Sequence, residues 1–235
     1  MPASQQRWTA VDSFINDKLV GPDPALDGAL EAGAAAGLPP IAVSPSQGKL
    51  LHLLAEAIQA RTVLEIGTLA GYSTIWLARA LGPGGRLITL EANASYAEVA
   101  RANIARAGLQ DIVELRVGAA LDTLPKLVAE NPDPFDLIFI DADKQSSPDY
   151  FTFALELSHP GSLIITDNVI RDGALVDPAS DDPAVEGSRR LHAMLQAEQR
   201  VSATTIQTVG SKGYDGFTLA LVTRPHAHDG AHDGR

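Results

Sequence analysis

Between residues 61 and 167 two local patterns alternate, and this alternation constrains the fold more than anything else in the chain. Short apolar runs, TVLEIG (62–67), RLITLE (86–91), IVELRV (112–117), FDLIFID (135–141) and SLIITD (162–167), form one set. Between them lie YSTIWLARAL, SYAEVARANIARAG, ALDTLPKLVAE and PDYFTFALELS, whose apolar residues fall at helical spacing. A strand that is apolar along its length has both faces buried, and strands joined by helices run parallel. The expected architecture is therefore α/β, a mostly parallel sheet with helices on both faces. Beyond it, PAVEGSRRLHAMLQAEQR reads as a helix, and VSATTIQTV and GFTLALV as a final strand pair.

The flanks read differently. Residues 1–40 are expected to be an N-terminal helical segment packed on the domain. WTAVDSFINDKLV is stopped by GPDP, and the alanine-rich ALDGALEAGAAAGLPP ends at Gly37 and Pro39. SPSQGKLLHLLAEAIQA is an amphipathic helix with Ser44 or Ser46 as its N-cap. Residues 41–224 form the domain, and 225–235, which carry a repeated AHDG, are expected to be a disordered tail.

Composition then excludes several classes. With 235 residues, 45% of them hydrophobic, one core is the default. No apolar run reaches the roughly 18 residues of a membrane span, and MPASQQRWTAVDSF lacks the basic-then-apolar order of a secretion signal. There are no cysteines, so neither disulfides nor thiolate chemistry enter. A cytoplasmic protein is expected. The net charge of -11, from 18 basic and 29 acidic side chains, disfavours a nucleic-acid partner.

In an open α/β sheet, ligands bind outside the carboxyl ends of the strands. Glu65–Gly67, Glu91, Gly118, Asp141 and Asp167–Asn168 all fall there. The turn EIGTLAGYS (65–73) is not the G-x-G-x-x-G of dinucleotide sites, because an acid precedes Gly67 and the next glycine is Gly71. A carboxylate beside the turn repels a pyrophosphate and suits an ammonium group. Gly67 allows close backbone approach, and Ser73, near a helix N-terminus, suits a carboxylate. Glu91 is placed to accept two ribose hydroxyls. S-adenosylmethionine, with an amino-acid end and a nucleoside end, meets these demands together. The plainer reading is that both glycines merely permit strand–helix packing.

FIDADK (139–144) runs an apolar strand into Asp141, Asp143 and Lys144, while IITDNVIRDG ends the next strand with Asp167 and Asn168. Neighbouring strands lie about 4.8 Å apart, so three oxygen donors would converge. Such a set suits Mg²⁺, Ca²⁺ or Mn²⁺; zinc is disfavoured, since no cysteine or local histidine is present. A cation with three protein ligands leaves room for the two hydroxyls of a catechol, whose acidity it would raise. Lys144 could then accept the hydroxyl proton. Against this stand structural readings: Asp141 as a helix N-cap, and Asp143 as a first-turn acid favoured by the helix dipole. A calcium loop of the D-x-[DN]-x-[DN]-G type fails at Gln145 and Ser146.

The motifs SPSQGKLL, LEIGTLAGYST, LITLE, GAALDTLP, DLIFIDADK, LIITDNVI and KGYDGF together resemble the cation-dependent O-methyltransferases that include catechol and caffeoyl-CoA O-methyltransferases. The resemblance runs from about residue 41 to 222. It implies a Rossmann-like class I methyltransferase fold, seven strands with the last antiparallel, and a homodimer. It implies Asp141, Asp167 and Asn168 as metal ligands and Lys144 as base, with Asp141 shared between metal and cofactor. Val43, Glu65, Gly67, Ser73, Glu91, Ala120 and Asp141 are the implied cofactor contacts. Two positions depart from many relatives: Ser147 where a tyrosine is common, and Ile170–Arg171 where Leu-Trp is common. Both are expected near the acceptor, where Arg171 would meet an acidic substituent or a surface carboxylate such as Asp172.

The expected activity is methyl transfer from S-adenosylmethionine to a hydroxyl of a catechol-like small molecule. Rivals are a transfer-RNA hydroxyuridine O-methyltransferase of the same family, a non-catalytic cofactor-binding protein and, more distantly, a nicotinamide enzyme. His52 reads as a packed or rim residue of a leucine-rich helix, His159 and His192 have no evident chemical partner, and the remaining three histidines lie in the tail. Trp8 and Trp76 read as core or interface residues, and residues 177–187 as an exposed loop leading into a helix.

Overall fold

The structure is a computed structural model that describes residues 3–224. The expected tail, with its histidines, lies outside the described residues. Seven strands form one sheet: β1 (Thr62–Ile66), β2 (Arg86–Glu91), β3 (Val113–Val117), β4 (Phe135–Ile140), β5 (Ser158–Asp167), β6 (Val201–Gly210) and β7 (Gly213–Val222). Their order is β3-β2-β1-β4-β5-β7-β6. The first five run parallel, and β7 is antiparallel to both β5 and β6. This is the seven-stranded sheet with an antiparallel final strand that the resemblance implies.

Among the described residues eight α-helices surround it: α1 (Ala3–Ile15), α2 (Pro24–Ala35), α3 (Pro45–Ala57), α4 (Tyr72–Arg79), α5 (Ala94–Arg106), α6 (Ala120–Ala129), α7 (Ser147–Glu156) and α8 (Pro183–Ala197). The doubly apolar strands feed two cores. On one face Val63, Leu137, Phe139 and Ile165 pack with Leu26, Leu51, Ile75 and Ile104 from α2 to α5. On the other, Leu64, Ile66, Ile138, Ile140 and Ile164 pack with Leu124, Phe151 and Leu191 from α6 to α8. Each such fully buried side chain contributes roughly 1.5–3 kcal/mol. The strand tips are thereby held rigidly where the ligand crevice opens.

Local chemistry sets the boundaries. Ser44, not Ser46, caps α3, accepting from the Gln47 N–H at 3.2 Å, while Ser46 Oγ donates to Asn16 Oδ1. The first helix begins earlier than its apolar spacing implies. It ends in a wider turn over 16–20 that closes with Gly21 N–H donating to Asn16 C=O, an i→i+5 bond. Strand β5 starts at Ser158, four residues before the apolar run. Its pairing with β4 restarts across an irregularity, Phe135 facing Ser158 and Leu137 facing Leu163. Ser162 bridges the gap, donating to Phe135 C=O and accepting from His159 N–H. Asp182 caps α8. Among the described residues no helix is long and apolar enough to cross a membrane.

Candidate active site

A cavity of about 610 Å³ opens at the carboxyl ends of β1, β2 and β4. Val43, Gly67, Ser73, Glu91, Ala120, Asp141, Lys144 and Asn168 all line it. Glu65 and Asp167 do not; they are buried behind its wall, at 0% and 3% exposure.

The glycine turn is shaped by crowding. Gly67 has φ 104°, and a Cβ there would sit 2.3 Å from the Asp141 carbonyl oxygen. Only glycine lets β1 and β4 tips approach so closely. Gly71, at φ 83°, then opens α4, whose first-turn N–H groups have no helical partner. Glu91 is fixed by the same turn. It accepts from Leu69 N–H at 2.8 Å and Thr68 N–H at 3.3 Å through one oxygen, and from Asn93 N–H at 2.9 Å through the other. Three of its roughly four lone-pair sites are thus taken, the 3.3 Å contact weakly, and Oε1 keeps a free site for an incoming hydroxyl.

Glu65 accepts from Ser73 Oγ at 2.6 Å, Thr89 Oγ1 at 2.7 Å and Thr74 Oγ1. Its pKa is pushed up to about 7, because burial outweighs the three hydroxyls, and the Asp141 charge adds to the rise. Glu65 therefore touches the cavity through Ser73, whose hydroxyl it orients.

At the other tips, Ile140 faces Thr166 across the β4–β5 pair, so Asp141 and Asp167 follow side by side. Asp141 Oδ1 accepts from Lys144 Nζ at 2.6 Å, the two side chains being 19% and 12% exposed. Asp167 accepts from Gln47 Nε2 at 2.6 Å and from Asn168 N–H at 2.8 Å. Burial, and then the charge of Asp141, push its carboxyl well above the usual range. Asn168 sits at φ 55°, a conformation that asparagine tolerates better than most residues. Among the described residues no group of three or more His, Cys, Asp or Glu side chains has metal-holding geometry. The oxygen set here is two carboxylates, Asp167 buried and Asp141 half-buried, and one amide, and two adjacent acids beside one lysine leave a deficit of positive charge. That chemistry fits a hard divalent cation.

The capping reading holds for Asp143 rather than Asp141. Asp143 accepts from Ser146 N–H and from the Tyr150 hydroxyl, whose pKa is raised by burial and by that carboxylate. Ser147 is buried and does not line the cavity, whereas Tyr150 and Arg171 do. Gln47 and Tyr150 had no signal of their own: Gln47 stands 120 residues from its partner. The described histidines are satisfied elsewhere, His159 by Asp136, His192 by Ser188 and Thr205, and His52 by Trp76 C=O and Glu56. Trp76 is buried in the core, and Trp8 lines a second cavity.

Comparison with known proteins gives four consistent findings. The family model described as O-methyltransferase matches residues 22–223, which takes in α2 as well as the region resembled by motif. The chain is 55% identical to a catechol O-methyltransferase of Niastella koreensis over 93% of this chain and 99% of that one. It is 56% identical to a catechol O-methyltransferase of Mycobacterium tuberculosis over 90% of this chain and 94% of the relative. Its structure is similar to that of an O-methyltransferase from Bacillus cereus in complex with SAH, at TM-score 0.92 and 56% identity. That match covers 93% of this chain and 100% of the other.

Proposed function

Since this chain belongs to the O-methyltransferase family and is an S-adenosylmethionine-dependent O-methyltransferase, we propose that its acceptor is a catechol-like diol and that a divalent cation, Mg²⁺ or a similar ion, assists the transfer. One observation carries the proposal. Asp141, Asp167 and Asn168 end two adjacent strands beside Lys144, next to the turn that carries Gly67 and Ser73. Similarity to catechol O-methyltransferases over nine-tenths of the chain supports the diol.

In this reading Asp141, Asp167 and Asn168 would hold the cation, which when bound supplies Lewis acidity to the two hydroxyls. Gly67 lets the cofactor approach the backbone, the Ser73 N–H in the first turn of α4 receives its carboxylate while the Ser73 hydroxyl stays on Glu65, Glu91 accepts a ribose hydroxyl, and Val43 and Ala120 flank it. Lys144 is the base. To take a proton, its Nζ must part from Asp141 Oδ1, so the ion pair at 2.6 Å is a resting arrangement. The deprotonated oxygen attacks the sulfonium methyl carbon, the carbon–sulfur bond breaks, and S-adenosylhomocysteine leaves. A homodimer in the cytoplasm is the accompanying expectation.

A chelator tests the cation. With catechol as acceptor, excess EDTA should abolish methyl transfer and added Mg²⁺ restore it; full turnover in EDTA would refute the cation's part.

A further inference from the structure

We propose that Arg171 receives an anionic substituent of the acceptor, so that the preferred substrates are aromatic diols bearing a carboxylate on a side arm. The inference rests on the diol reading and deepens it. Arg171 lines the cofactor cavity and also a second cavity of about 600 Å³, so its side chain stands at the junction of the two. Asp141 and Asn168 line the same cavity as Arg171, so a diol held on their side shares that cavity with the guanidinium.

One nitrogen of the half-buried guanidinium there is unsatisfied. Arg171 Nε is buried without a hydrogen-bond partner, and no carboxylate of the described residues lies within ion-pair distance of the side chain. A buried cationic donor left unpaired is costly, and guanidinium answers best to a planar carboxylate through paired hydrogen bonds. Three acids, Asp172, Asp182 and Asp215, also line the second cavity, and none pairs with this side chain. Asp215 accepts the backbone N–H groups of Ile170, Arg171 and Gly216 through one oxygen. Asp182 caps α8, and Asp172 is exposed. Asp215 thus holds the Arg171 backbone at φ 56° without neutralising its side chain. Lys212, the other cation of the second cavity, donates to Pro40 C=O. Arg189 donates to the carbonyls of Ala174, Leu175, Asp177 and Ser180, and so ties down the loop that brings Ala174 and Ser180 to the second cavity.

The test compares dihydrocaffeate with dihydrocaffeamide, which carry the same diol, and with dopamine. In the wild type kcat/KM should favour the acid over the amide by roughly 10-fold or more, carried by KM. Arg171→Gln should erase that ratio, and Arg171→Glu should turn the preference toward dopamine. Each ratio is internal to one variant, so a loss of stability does not disturb it, and Arg171→Lys should keep a ratio above one. Turnover of amide and amine with no preference for the acid overturns this inference alone, as does a preference that survives Arg171→Gln. Turnover of none of the three overturns the diol reading itself, and this inference with it.

Discussion

Glu65 at the tip of β1 and Asp167 at the tip of β5 are both acids sealed from water, yet their surroundings are opposite in kind. Glu65 is met by three hydroxyls, from Ser73, Thr74 and Thr89. Such donors can rotate to serve either protonation state. Asp167 has one amide side chain, one backbone N–H and a second carboxylate beside it. The first site is complete within the protein. The second lacks positive charge. That difference separates an acid that orients its neighbours from acids that would hold a cation, although burial alone looks the same.

Lys144 is where the comparison breaks most visibly, because it already pairs with Asp141 on the incomplete side. Lys144→Met should lower turnover of a catechol by roughly 10²–10⁴-fold, the range of general-base catalysis. Cofactor affinity by calorimetry should stay near that of the wild type, since the Glu65–Ser73 side is untouched. Turnover at the wild-type rate would remove Lys144 from the chemistry.

The complete side makes a pH prediction of its own. Folding raises the Glu65 pKa from an ordinary value near 4.5 to about 7. The folded state therefore binds this proton more tightly than the unfolded chain. Its contribution to stability is full below pH 4.5 and is lost as pH rises through about 7. Between those limits the loss amounts to about 3 kcal/mol. Denaturation of the cofactor-free protein at pH 5 and pH 8 should show this fall, and Glu65→Gln should flatten it. Asp167 is pushed in the same direction but is present in both proteins, so the difference between them isolates Glu65. Parallel pH profiles for the two would mean that Glu65 remains ionised throughout.

The sequence makes one half of this contrast legible and hides the other. Strand tips follow from the alternation of apolar runs and helices, which places Glu65, Glu91, Asp141 and Asp167 at one end of the sheet before any coordinates exist. The Gly67 turn is readable for the same reason, since glycine after an acid at a strand end has few other uses. What lies behind the tips is not readable. Thr89 meets Glu65 through the β1–β2 register, and Gln47 meets Asp167 only because α3 is packed over the strand ends. The three residues over which β5 runs out of step with β4 also escape the pattern, because His159, Pro160 and Gly161 break alternation and read as a turn.

Gln47 offers the finest cut between the two sides. Its amide at 2.6 Å orients one Asp167 oxygen and favours the charged form, which is the form a cation needs. Gln47→Leu removes that donor while keeping most of the side chain's bulk. The expected result is a rise of roughly 10–100-fold in the Mg²⁺ dissociation constant by calorimetry, the usual effect of losing a partner that orients a metal-binding side chain. Thr89→Val makes the matching cut at Glu65, where two hydroxyls remain, and should leave cation affinity as it was. If both substitutions weaken Mg²⁺ equally, the two acids belong to one electrostatic unit and the division between them fails. If neither does, Gln47 serves only the packing of α3, and the cation site must be completed by other atoms.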